Sequence, residues 1–199
     1  MAWTGISPAP GRLLVAAPLL TEDAFVRTVV YLLEHDGGGS VGVVINRPSH
    51  TPVGHVLPDW QDAVAEPGVV FSGGPVQQDG ALCLGLSVEV PAEAPGQQGL
   101  LPDSGGLRPV AAGVCTVDLD GDVELLSAMT TRLRVFAGHS GWAGGQLEEE
   151  LETGAWFVVE GSPGDVFSES PAGLWKSVLL RQPPPLRFVA TYPKDPSLN

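Results

Sequence analysis

Three short segments place polar side chains or glycine-rich backbone where an apolar run stops. Asn46-Arg47-Pro48 follows VGVVI, Ser72-Gly73-Gly74-Pro75 follows VVF, and Gly138-His139-Ser140-Gly141-Trp142 follows RLRVFA, with Gln146 a few residues on. Such points suit ligand contact. Glycine lets a ligand approach the backbone, and free N–H groups at a strand end can form an anion nest. Asn46 can both donate and accept hydrogen bonds, and Arg47 offers a planar charged fork. The candidate binding set is therefore Asn46, Arg47, Gly73, Gly74, Pro75, Gly138, Ser140, Gly141, Trp142 and Gln146. The same segments also read as tight turns around one hydrogen-bonded Asn.

Better-known catalytic patterns fail on spacing. Gly138 to Trp142 approaches the nucleophile elbow G-x-S-x-G, but its fifth position is Trp142. Asp118-Leu119-Asp120-Gly121-Asp122 opens like a calcium loop, yet Val123 and Met129 stand where Gly and Glu are needed. His35, His50, His55 and His139 are scattered, with no HxH or HExxH spacing, so no metal site is expected. No GxGxxG or GxxxxGKS pattern occurs, and no cofactor is expected.

The elements that must position these segments are mostly strands. Gly11 to Ala17 and Thr28 to Glu34 are apolar or β-branched. His35 to Gly39 is a turn, and Val41 to Ile45 completes a hairpin. Pro52 to Trp60 holds one or two helical turns. Val69 to Ser72 and Ala81 to Val88 are strands joined through Gly-Gly-Pro. Val110 to Asp118 reads as one strand, Asp122 caps a helix to Ala128, and Arg132 to Ala137 alternates as a strand. A helix over Gly145 to Thr153 ends at Gly154, Ala155 to Glu160 is a strand, and Ser170-Pro171 opens a helix to Arg181. Residues 89–109 are rich in Pro, Gly and Gln and are expected to form a long surface loop within a single domain spanning 1–199. Mixed strands with short helices and no strict βαβ alternation make the class α+β.

Composition limits the function. The 199 residues carry 10 Lys+Arg against 23 Asp+Glu, a net charge of −13. That argues against a general nucleic-acid binder and against docking on anionic lipid. A basic patch from Arg132, Arg134 and Arg181 would be the sign of direct DNA binding. Cys83 and Cys115 sit in apolar runs without CxxC spacing, so both are expected to be buried, reduced thiols. The start of the chain has no basic region before its short apolar stretch, which Pro18 interrupts, and no membrane-spanning run follows. The expectation is a cytoplasmic protein.

An ordered set of pieces carries a resemblance: GRLLVAAPLL, FVRTVVYLLEH, SVGVVINRP, FSGGPV, FAGHSGWAGGQLEEEL, GAWFVV and the helix around Trp175. Together they span nearly the whole chain, and the chain resembles the YqgE/AlgH family of bacterial proteins. The resemblance implies an α+β fold with a β-barrel-like, bifurcated sheet flanked by short helices, in a bacterial cytoplasmic protein. It carries no catalytic residues across. One branch is named for transcriptional regulation of alginate synthesis. The family more often holds an aromatic residue where this chain has His139, which favours packing there over catalysis.

The reading that follows is a non-enzymatic protein that binds an unknown small molecule or protein through these loops, in a regulatory role. The alternative is an enzyme, a hydrolase or transferase, acting on a small anionic substrate. Arg47 would hold that substrate, with Glu150 or His139 as acid or base. The oligomeric state is left open.

Overall fold

The computed structural model describes residues 5–88 and 105–193. In chain order the first elements are β1 (Leu13–Ala16), β2 (Val29–Asp36), β3 (Gly39–Val44), β4 (Pro48–Pro52) and the single turn α1 (Val53–Val56). Next come a 3-10 turn at Pro58–Trp60, β5 (Val69–Ser72), β6 (Val76–Ser87), β7 (Leu107–Ala111) and β8 (Val114–Val117). Then follow α2 (Val123–Met129), β9 (Thr130–Ala143), α3 (Gln146–Glu152), β10 (Trp156–Val159) and α4 (Pro163–Val166). A 3-10 turn at Pro171–Gly173 leads into α5 (Leu174–Leu180), and α6 (Leu186–Val189) is last.

The strands form one sheet in the order β10-β1-β2-β3-β9-β6-β8-β7. β4 and β5 branch from it: β5 pairs antiparallel with β4 and parallel with β9. The α+β class and the curled, bifurcated sheet are thus both present. The sheet curls far enough to bring β7 back to the start of β1, where a Cβ on Gly11 would overlap Ala111.

β1 and most of β2 and β3 are buried on both faces, which explains why these strands read as continuous apolar runs, whereas β4 and the first half of β6 are largely exposed. On the concave side, Leu13, Val15, Tyr31, Val43, Leu84 and Phe136 pack against Val166, Trp175, Val178 and Leu186 of the C-terminal helices. On the other side of β1–β3, Leu14, Val30, Leu32 and Val44 meet Trp142, Trp156 and Leu147 of α3. Behind β6, β8 and β9, Cys83, Cys115, Val117 and Val135 pack on Leu126 of α2 and on Trp60. Both cysteines are buried free thiols.

Four local expectations change. β9 continues through Gly138 to Trp142, so this segment is the last third of a long strand, with a register shift at Gly138, rather than a strand exit. Val110 to Asp118 is not one strand: Ala112 (φ 49°) and Gly113 (φ 81°) make a tight turn between β7 and β8. The polar, proline-flanked β4 is a strand because β5 offers it a partner. Of the expected loop at 89–109, residues 107–109 belong to β7, and 89–104 lie outside the described residues. Among the described residues no helix is long and apolar enough to cross a membrane.

Candidate functional site

The three polar segments do meet, at the fork of the sheet. Phe136 and Ala137 of β9 pair with β5 on one edge and with Leu82 and Ala81 of β6 on the other. The chain must therefore cross the backbone of β9 between Ser72 and Val76. Gly73 and Gly74 make that crossing, and Gly138 lies beneath it. A Cβ on Gly138 (φ +70°) would stand 2.7 Å from Gly74 O and 2.8 Å from Val76 O. A Cβ on Gly73 would overlap Gly138 O, and one on Gly74 would overlap His139 O.

The polar groups of the fork bond to one another. Gly73 donates its N–H to Ala137 O at 2.8 Å, and its carbonyl accepts from Val44 N at 2.8 Å and Ser140 Oγ at 3.2 Å. Asn46 closes the start of β2 as a substitute strand: Oδ1 accepts from Val29 N and Nδ2 donates to Arg27 O, both at 2.9 Å. Arg47 Nη2 donates to Asp23 O and Val26 O at 2.9 and 3.1 Å, tying the turn before β2 to the fork. Burial pushes the Arg47 pKa down, partly offset by Asp23. Gly141 and Pro75 are exposed nearby.

Trp142 and Gln146 belong to a second network centred on Glu150. The Glu150 carboxylate accepts from Trp142 Nε1 at 3.0 Å, Trp156 Nε1 at 2.7 Å and Gln146 Nε2 at 3.0 Å. Phe25, Trp142 and Trp156 pack ring on ring, with centroids 5.3–6.2 Å apart. Glu150 thus anchors α3 to two indoles. His139 is half-buried on β9, in register with Val76.

The open concavity lies elsewhere. A cleft of about 660 Å³ is lined by Leu33, Glu34, His35 and Asp36 of β2, Val41 of β3, Ala81 to Cys83 of β6, and Arg108 to Val110 of β7. Thr116 and Val117 of β8, the following Asp118 to Asp120, and Pro10 complete it. Its volume falls in the range of small-molecule sites. Leu33, Val41, Leu82 and Val110 form an apolar floor continuous with the concave core. A smaller cavity of about 440 Å³, lined by Gly105, Gly106, Arg108 and Thr116 to Asp118, adjoins it. None of the ten residues of the candidate set lines either cavity.

The rim of the cleft is polar and held in place. His35 Nδ1 lies 2.8 Å from Ser40 Oγ across the β2–β3 hairpin, and Nε2 lies 3.6 Å from Glu148 Oε1 of α3. Asp36 Oδ1 accepts from Gly38 N at 2.7 Å, and Asp118 Oδ1 accepts from Asp120 N at 3.0 Å. Cys83 reaches the cleft wall only as a buried residue, and burial pushes its thiol up to about 12, so it is not a nucleophile. Sequence reasoning did not single out this cleft. Its residues come from separated segments, and the one motif-like run among them, Asp118 to Asp120, is set aside because the rest of a calcium loop is missing.

Arg134 is the other unusual group. It is 1% exposed and bonds only carbonyls: Val166 O at 2.8 Å, Ser168 O at 3.1 Å and Glu66 O at 2.7 Å. Its guanidinium lies 4.3 Å from the Phe71 ring centroid, and Nε has no partner. Burial, with some repulsion from Arg132, lowers its pKa to about 10. Arg181 is committed to Asp165, with contacts of 2.6 and 2.7 Å. Of the three arginines of the possible basic patch, Arg134 is therefore engaged inside the fold and the exposed Arg181 is held by Asp165.

The described architecture has counterparts. The chain is 53% identical over 196 residues to a UPF0301 protein of Streptomyces coelicolor, covering 98% of each. It is 47% identical over 189 residues to a UPF0301 protein of Mycobacterium tuberculosis, covering 95% and 90%. The crystal structure of a Corynebacterium diphtheriae protein superposes with a TM-score of 0.85 at 33% identity, covering 96% of each chain. The solution structure of the AlgH protein of Pseudomonas aeruginosa superposes with a TM-score of 0.65 at 25% identity, covering 94% and 97%. A family model described as AlgH-like matches residues 13–187, and the chain belongs to that AlgH-like family.

Proposed function

We propose that this chain is a binding protein whose small-molecule ligand occupies the cleft between the β2–β3 hairpin and the β7–β8 hairpin. The observation that carries this is the cleft itself: about 660 Å³, apolar at its floor and charged at its rim. Its walls belong to different parts of one curled sheet. A ligand touching both bridges elements that are far apart in the chain, which is how occupancy can be relayed to a partner surface. A regulatory role rests on that relay.

The placement of the acid–base candidates supports binding over catalysis. Glu150 has three donors on its carboxylate, and His139 is half-buried on β9 opposite Val76. Neither group lines the cleft.

The test is native mass spectrometry of gently purified protein, wild type beside Ala81→Phe. Ala81 is an exposed cleft residue, so the larger ring fills the cleft without entering the core. A retained small-molecule mass in the wild type that the variant lacks is the expected result. Equal retention in both places the ligand elsewhere and overturns the proposal.

A further inference from the structure

We infer that the cleft takes a linear aliphatic diammonium ion, its methylene chain on the apolar floor and one ammonium at each acidic wall. This rests on the cleft being the ligand site proposed above.

The charge distribution is the first argument. Four carboxylates line the cleft, Glu34 and Asp36 on one wall and Asp118 and Asp120 on the other, against the single guanidinium of Arg108. Among the described residues none of these four pairs with a cation, since the ion pairs use Glu160, Glu148 and Asp165. An acidic molecule with a concave, low-dielectric site concentrates cations there and repels anions. The net charge of −13 works in the same direction.

The second argument is the spacing of the walls. In the sheet order, β2 and β8 are separated by β3, β9 and β6. Because β7 comes back to the start of β1, the two strands are also joined the other way round through β1 and β7, so the acidic walls face each other across the opening from different strands. A chain with a charge at each end can reach both walls at once. The floor between them, Leu33, Val41, Leu82 and Val110, suits methylenes.

The third is what the carboxylates do not form. Among the described residues no group of three His, Cys, Asp or Glu is close enough to hold a metal ion. The acidic groups are spread along a cleft rather than gathered on a point. An extended organic cation matches that spread, and a bare divalent ion does not.

The experiment is calorimetric titration of the full chain with 1,8-diaminooctane, 1-octanol and octanoate, with amide chemical shifts recorded in parallel. The diamine is expected to bind one to one and at least tenfold more tightly than the alcohol, and octanoate not at all. Its shifts should fall on residues 33–36, 81–83, 108–110 and 116–120. The double variant Glu34→Gln with Asp120→Asn changes two exposed side chains and should weaken the diamine at least tenfold while leaving the alcohol unchanged. Arg108→Ala should tighten the diamine. Alcohol or octanoate binding in the cleft as tightly as the diamine overturns the cation assignment and leaves the cleft as a ligand site. Diamine binding outside these residues, or unaffected by the double variant, overturns the assignment as well. If no probe binds, the assignment falls, and the Ala81→Phe comparison decides the cleft separately.

Discussion

Replacing Gly138 by alanine tests the strand crossing quantitatively. Gly138 has φ +70°, so any side chain there adopts the left-handed region, which costs roughly 1–2 kcal/mol. The added Cβ would also stand 2.7 Å from Gly74 O, 2.8 Å from Val76 O and 3.2 Å from Gln78 Cα. All three are backbone atoms of the crossing and the start of β6, so no side chain can swing aside. Overpacking of that kind adds about 1–3 kcal/mol. The total is about 2–5 kcal/mol, and for a chain of this size each kcal/mol moves Tm by about 2–4 °C. Gly154→Ala is the matched control: φ is +79°, but nothing lies within 4 Å of its Cβ. It bears the left-handed cost alone, about 1–2 kcal/mol. Urea denaturation of the two variants, with circular dichroism as the probe, gives the difference directly. If Gly138→Ala costs no more than Gly154→Ala, the glycines are not there for the crossing and the account of the fork is wrong.

Three further outcomes follow from the buried polar groups. Arg134→Met removes the donor to three carbonyls and should cost about 1–3 kcal/mol for each carbonyl that finds no other partner, read by urea melt. Arg134→Lys should not restore it, because an ammonium lacks the planar fork that spans them; full rescue by lysine would refute the reading. Glu150→Ala leaves two largely buried indole N–H groups without their acceptor and should cost about 2 kcal/mol with a changed near-ultraviolet tryptophan signal, whereas an unchanged spectrum would contradict the network. Burial raises the thiols of Cys83 and Cys115 from 9.0 to about 12 and about 11, and raises the Tyr31 phenol as well. An acid whose folded pKa is raised favours folding while protonated, so this stability is complete below about pH 9 and declines as pH rises toward 11–12. Melts across pH 8–11.5 check this, and a flat profile beyond pH 9 would count against buried thiols.

Much of the fold was legible because its strands obey simple local rules. Runs such as LLVA and VVYLL are apolar at every position because the sheet is covered on both faces there. Asp122 caps α2 through Leu125 N at 3.0 Å, as its position before an apolar run suggested. What misled was glycine. Gly138 and Gly141 look like a turn in sequence, yet they lie inside a long strand, with Gly138 bare so that another chain segment can pass over it. Asn46, Gly73 and Gly138 are expected at strand exits around one ligand site; the segments come together at the fork, but Gly138 lies within β9 and none of them lines either cavity. Their polar groups are taken up by neighbouring strands, Asn46 by Val29 and Arg27 and Gly73 by Val44 and Ala137, which a linear sequence cannot reveal. The cleft was not legible as a site. Asp118 and Asp120 stand out only as a failed calcium loop, Glu34, Ala81 and Val110 are ordinary residues, and only the curl of the sheet brings them to one opening.

The central claim is that ligands bind at the open end of the curled sheet and not at the glycine-rich fork. Amide chemical-shift mapping of the isotope-labelled chain, titrated with a small-molecule extract of its own host cells, addresses it most directly. Saturable shifts concentrated on residues 33–36, 81–83, 108–110 and 116–120, and abolished in Ala81→Phe, are the expected result. Shifts concentrated on residues 46–47, 73–75 and 138–142, and unaffected by Ala81→Phe, would contradict it.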